Sequence, residues 1–114
     1  MKHFHAHIYF APENLKAVRS LAEQVHGSNL FEFVKLHEQK VGPHPTGMIE
    51  AHFGEASYVS ALEWMNANCR SFSTLIHQDT GDDLKDHTEN ILWLGPALPL
   101  DFAFFELIQM RPDL

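Results

Sequence analysis

Three histidines, at positions 3, 5 and 7, alternate with apolar residues in the first apolar run of the chain. In a β-strand, side chains two residues apart point to the same face, so His5 and His7 share a face with Tyr9, while Ala6 and Ile8 lie on the other. Two neutral imidazoles at this spacing can bind one metal ion. Histidine is also an ordinary polar-face residue, and the spacing therefore indicates a metal-binding strand as a hypothesis to test.

The composition is that of one globular domain covering residues 1–114. The chain is 45% hydrophobic and 20% charged, and its length is sufficient for a core without disulfides. A formal charge of −7 without a basic cluster argues against nucleic acid and anionic membranes as partners. The single cysteine, Cys69, fits a reducing compartment. Without a secretory segment or an apolar run of the ~20 residues that span a bilayer, we expect a cytoplasmic protein.

Hydrophobic periodicity predicts six elements in the order β-α-β-β-α-β. The strands are predicted over residues 3–10, 30–37, 48–53 and 72–77, and the helices over residues 12–26 and 54–68. This order is the split βαβ pattern of an α+β, ferredoxin-like fold. Right-handed crossovers place both helices on one face of a four-stranded antiparallel sheet with the spatial order 4-1-3-2. The other face is open to a ligand, a second subunit or the C-terminal extension.

The C-terminal extension is too apolar to be exposed to water. We expect a short helix or turn within residues 86–94. Residues 98–110 then carry several large apolar side chains, which are Leu98, Phe102, Phe104, Phe105, Leu107 and Ile108. We expect this segment to pack on the open face of the sheet or on a second subunit, which favours a homodimer.

The predicted topology brings distant histidines together. The first strand lies between the third and fourth and is antiparallel to both, so its start lies near their ends. This arrangement places His5 near His77 and leaves His52 as a second candidate neighbour. His7 lies one residue pair further along the same face, and His87 follows a turn that can fold back over it. A cluster of His5, His7 and His77 is the candidate metal site.

Six short motifs occur in order over residues 5–95. They are His5-Ala6-His7-Ile8-Tyr9-Phe10, Gly42-Pro43-His44-Pro45, Leu75-Ile76-His77, Thr80-Gly81-Asp82, Asp86-His87-Thr88 and Trp93-Leu94-Gly95. Together they resemble the DOPA 4,5-dioxygenase family. The resemblance implies an extradiol, ring-cleaving dioxygenase that uses non-haem Fe(II) and O₂ to open a catechol such as DOPA.

The resemblance also implies roles for individual side chains. The three iron ligands are then His5, His7 and His77. His44 and His87 become acid–base or substrate-orienting residues, and Tyr9 donates a hydrogen bond to the substrate. Simple topology puts His44 at the opposite end of the first strand, so it must reach inward or serve a site shared across a dimer.

Several alternatives stay open at this point. A facial triad needs a carboxylate, which Glu50 or Asp86 can supply. Trp93 either walls the pocket or belongs to the core. The fold also suits a dimeric α+β barrel monooxygenase, a kind of enzyme that can work without a metal. A third interpretation is a module that binds a metal or an aromatic ligand without turnover.

Overall fold

The computed structural model describes residues 1–101 and residue 104. Within them lie five strands and three helices, with short 3₁₀ turns before the first two helices. The strands are β1 (His3–Tyr9), β2 (Phe33–His37), β3 (Met48–Gly54), β4 (Thr74–Gln78) and β5 (Leu92–Leu94). The helices are α1 (Leu15–Gly27), α2 (Tyr58–Asn68) and α3 (Asp83–Asp86). No helix in this part of the chain is long and apolar enough to cross a bilayer.

The strands form one antiparallel sheet in the order β2-β3-β1-β4-β5. The first four strands therefore take the predicted order 4-1-3-2. The prediction of a four-stranded, ferredoxin-like sheet is wrong in its strand count, because β5 pairs with β4 at the edge. A strand of three residues is too short to show an alternating pattern, which explains why the sequence does not reveal it.

The apolar layer lies between the sheet and the helices. Ala6 and Ile8 on β1 are fully buried and belong to one cluster with residues of both α1 and α2. On α1 the buried side chains are Val18, Leu21 and Val25, the i, i+3, i+7 spacing of an apolar helix face. Both helices therefore cover one face of the sheet, as predicted, and the histidine face is the other.

Part of the C-terminal extension packs on the opposite face of the sheet. Leu98 and Leu100 contact a small cluster formed by Tyr9, Met48 and Leu75. This confirms the predicted packing on the open face for these two residues. The prediction for the remainder of residues 98–110, apart from residue 104, lies outside the described residues.

Candidate metal centre

The register of β1 with its neighbours builds the floor of the site. His5 pairs with His52 on one side and with His77 on the other. The rings of His5 and His77 have their centroids 5.3 Å apart, and His7 and His77 are 5.1 Å apart. The predicted cluster of His5, His7 and His77 is therefore present, and His52 is stacked on His5 at 3.7 Å.

His44 reaches this cluster within a single chain. Its ring centroid lies 4.3 Å from that of His7. The loop that carries His44 joins β2 to β3 at the edge of the sheet where β1 ends. The loop turns sharply at Gly42, whose φ of +56° favours glycine. The backbone of Asp101 donates to the Pro43 carbonyl at 2.7 Å and joins this loop to the C-terminal extension. The sequence left two possibilities for His44, an inward reach or a site shared across a dimer. The structure shows the first, with His44 in contact with His7 of its own chain.

His87 lies over the cluster, as predicted from the turn that precedes it. Its ring centroid is 4.4 Å from that of His77 and 5.8 Å from that of His7. The buried carboxylate of Asp86 accepts hydrogen bonds from both the backbone N–H and the hydroxyl of Thr80. These bonds join Thr80, just after β4, to the last residue of α3. His87 follows that residue directly, so the short helix positions it.

Two groups of three histidines have ring nitrogens close enough to share one metal ion. They are the predicted set of His5, His7 and His77, and a second set of His7, His44 and His87, with nitrogens within 4.8 Å of one another in each. Among the described residues, neither carboxylate considered from the sequence belongs to these groups. Glu50 accepts hydrogen bonds from His37 and His52, and Asp86 is bonded to Thr80.

The hydrogen bonds around the cluster fit a metal ion. The Nδ1 of His77 donates to the Gln78 carbonyl at 3.0 Å, so the neutral ring keeps its lone pair on Nε2. That lone pair faces the Nε2 of His7 at 3.0 Å. The Nδ1 of His7 is buried and has no hydrogen-bond partner among the described residues. Imidazole donors of this kind suit several divalent transition metals, including iron and zinc.

The imidazoles of His7, His44 and His77 are neutral at pH 7. Burial, together with the neighbouring imidazoles, lowers the pKa of His44 and of His77 to about 4. Burial, with the same neighbours, holds the pKa of His7 well below its ordinary value, and that of His5 is also lowered. Because a histidine must be unprotonated to bind a metal, these shifts prepare the cluster for one.

A cavity of about 220 Å³ opens beside the cluster. This volume lies below the ~300–1,000 Å³ of pockets for drug-sized ligands, and fits a small molecule. All five predicted histidines line the cavity, together with His37 and Phe104. The sequence analysis predicted neither residue for the cavity. For His37 a signal existed, because alternation along β2 indicates which of its side chains share a face.

Neither Tyr9, predicted beside the substrate, nor Trp93, for which pocket wall and core were both open, lines the cavity. Tyr9 instead shares a 2.6 Å hydrogen bond with the Nδ1 of His44. Trp93 packs on Tyr9, with ring centroids 5.8 Å apart, in the small apolar cluster on this face. Trp93 is therefore a packing residue, and Tyr9 contacts the site through His44.

Comparison with known proteins shows which family the chain belongs to. The residue pattern that defines the Dopa 4,5-dioxygenase family matches residues 4–104. A protein of Amanita muscaria named DOPA 4,5-dioxygenase is 29% identical over 112 positions, covering 90% of this chain and 49% of that protein. An uncharacterized 21.2 kDa protein of Botryotinia fuckeliana is 29% identical over 124 positions, covering 95% of this chain and 66% of that protein.

A solved structure shares the fold along nearly the whole chain. It is a crystal structure from Nostoc punctiforme, named as a candidate dioxygenase, with a TM-score of 0.76 and 31% sequence identity. The match covers 95% of this chain and 94% of that one. The chain spans 49% and 66% of the two curated relatives. Since the family pattern extends over most of its length, this chain belongs to the Dopa 4,5-dioxygenase family.

Proposed function

We propose that this chain is an extradiol, ring-cleaving dioxygenase that uses Fe(II) and O₂ to open a catechol such as DOPA. The observation that carries the proposal is the convergence of five imidazoles, from four separate segments, on one small cavity. The membership of the chain in a dioxygenase family and the name of the Amanita muscaria relative support the reaction class.

His5, His7 and His77 are our choice of metal ligands. All three project from adjacent strands, which are more rigid supports than loops. When bound, Fe(II) supplies open positions in which a catecholate and O₂ are held next to each other. His77 is oriented by its bond to the Gln78 carbonyl, the kind of support that metal-binding histidines usually have.

His44 and His87 are then available to move protons. Binding of a catechol as an anion requires a group that accepts a hydroxyl proton, and ring opening requires one that returns it. The hydroxyl of Tyr9 can both donate and accept, so it can bond the Nδ1 of His44 in either neutral tautomer. His44 can therefore exchange a proton at Nε2 without losing its support. His87 is held in place by donation from its Nδ1 to the Asp83 carbonyl at 2.7 Å.

The proposal is tested by metal content and oxygen uptake together. Protein loaded with Fe(II) under argon is expected to consume O₂ when DOPA or 4-methylcatechol is added, and to form a yellow ring-opened product. Replacing His7 or His77 by alanine should remove at least 90% of the bound iron and the oxygen uptake, since each change deletes a ligand. His26→Ala, at the exposed end of α1, is the matched control and should change neither.

Two results would contradict the proposal. If His7→Ala retains full iron and full oxygen uptake, the cluster is not the site. If the wild-type protein binds iron but consumes no O₂ with any catechol, the chain is a binding module of the kind considered from the sequence.

A further inference from the structure

A row of four rings crosses the sheet beside the cavity. The register pairs Phe33 with His52, His52 with His5, and His5 with His77, on β2, β3, β1 and β4 in turn. Residues paired across neighbouring strands project to the same face, so all four rings lie on the face of the cavity. Neighbouring ring centroids along the row are 4.6, 3.7 and 5.3 Å apart. His52 and Phe33 therefore extend the row beyond the candidate ligand His5.

The contact between His52 and His5 is the closest in this row. The angle between the two ring planes is 10°, and the centroids are 3.7 Å apart. Carbon atoms separated by about 3.5–4.0 Å are at their optimal van der Waals distance. The His5 ring therefore cannot turn toward β3 unless the His52 ring moves away.

His52 is itself fixed by its surroundings. Its Nε2 donates to one oxygen of Glu50 at 2.5 Å, and the other oxygen of Glu50 accepts from His37 at 2.8 Å. Phe33 covers the side of His52 that faces away from His5, because β2 and β1 flank β3 on opposite sides. A hydrogen bond at the edge of the ring and a ring on each side thus hold His52 in place.

The other contacts of His5 restrain its ring less. Its Nε2 lies 3.4 Å from an oxygen of Asp79, whose side chain is 43% exposed, and such a long contact with an exposed partner is weak. Its ring contact with His77 is edge-on at 5.3 Å. Within the described part of the chain, the stack on His52 is the closest ring contact of His5 and restrains it most.

We propose that His52 is a positioning residue for metal binding, because its ring keeps His5 in the orientation in which that imidazole binds the ion. A ligand that is already held in place loses less conformational freedom when the metal binds, so the affinity is higher. This inference rests on the proposed function, since it takes His5 as one of the three ligands.

The test measures metal affinity and involves no turnover. The full chain, freed of metal, is titrated with Zn²⁺ in competition with a chromophoric chelator. His52→Ala removes the stacked ring and should weaken Zn²⁺ binding about tenfold, the lower end of the range for residues that support a metal ligand. One ion should still bind at saturation, because His5, His7 and His77 remain.

Two further variants separate stacking from the other properties of His52. His52→Phe supplies a ring without a nitrogen and should recover most of the wild-type affinity. His52→Gln keeps a donor for Glu50 without a ring and should lose as much affinity as His52→Ala. Denaturant titration of each metal-free variant distinguishes a change at the site from a change in the stability of the fold.

A double-mutant cycle tests whether His52 acts through His5. His5→Ala deletes a ligand and should weaken Zn²⁺ binding more than His52→Ala does. His52→Ala should cause no further loss when it is combined with His5→Ala. The matched control is His3→Ala, which removes a histidine from the same face of β1 whose side chain is 57% exposed, and it should leave the affinity unchanged.

Three results would overturn the inference. They are wild-type affinity in both His52→Ala and His52→Gln, no recovery of affinity in His52→Phe, and an equal loss from His52→Ala with and without His5. If His5→Ala leaves the affinity unchanged, the choice of His5 as a ligand fails and this inference fails with it. If Zn²⁺ binding follows our expectations but the Fe(II) form consumes no O₂ with any catechol, the proposed function fails alone and the role of His52 is supported.

Discussion

His7 contacts imidazoles from three other segments of the chain, and it belongs to both groups that could hold a metal. Its place beside His5 was predictable, because the period of a strand is a local property. The place of His44 was not predictable. It depends on a proline-rich loop that is joined to Asp101, more than fifty residues later, by one backbone hydrogen bond. Local patterns contain no information on such a contact.

A prediction at this scale concerns the hydroxyl of Tyr9. In Tyr9→Phe the Nδ1 of His44 loses its partner, while both candidate ligand groups remain complete. We expect unchanged iron content, and a fall of about tenfold in turnover of a catechol because proton transfer through a positioned side chain is impaired. The pH profile of turnover should shift as well. Loss of iron in this variant would show that Tyr9 has a structural role instead.

The segment from β4 to α3 shows how a short element can position a reactive side chain. Asp82 accepts from the backbone of Lys85 at the start of α3, and Asp86 is bonded twice to Thr80. The turn residues made this segment recognisable from the sequence. The strand that follows it, β5, was not recognisable, because its three residues are held by pairing with β4 and not by a pattern of their own.

Removal of the Thr80 hydroxyl is expected to loosen this segment. Thr80→Val leaves the buried Asp86 with one donor fewer, which should cost about 1–3 kcal/mol of unfolding free energy. His87 should then be less well positioned over His77, so catechol turnover should fall more than iron content does. Denaturant titration, metal analysis and oxygen uptake measure the three effects. Thr80→Ser restores the hydroxyl and should recover most of each loss, and failure to do so would contradict this role.

At the scale of the whole molecule, the sheet separates the apolar core from the site. Predicting the strand order was possible because split βαβ units with right-handed crossovers allow few arrangements. The chain itself brings His44 to the cluster, so a second subunit is not required for that contact. The homodimer stays a prediction. The buried, neutral imidazoles of His44 and His77 also connect the stability of the fold to pH.

Metal-free protein is expected to lose stability as the pH falls from about 6.5 toward 4. The pKa values of His44 and His77 are about 4 in the folded chain, compared with about 6.5 for an unfolded histidine. Between these values the unfolded state binds more protons, so the unfolding free energy falls with decreasing pH, by up to ~1.4 kcal/mol per pH unit for each group.

Denaturant titrations at pH 7, 6 and 5, in the presence of a chelator, measure this dependence. His44→Gln removes one titrating group and should reduce the slope, whereas His26→Gln, at the exposed end of α1, should not. A stability that is constant or that rises toward pH 5 would show that the cluster is not neutral in the folded chain.

β1 serves two layers at once, with Ala6 and Ile8 in the core and His5 and His7 in the site. Loss or gain of one residue in the middle of this strand would move every later side chain to the opposite face. Imidazoles would then enter the space under the helices, and aliphatic groups would face the cavity. Folding and chemistry both depend on the alternation along these seven residues. The length of β1 is therefore far less free to vary than its amino-acid composition.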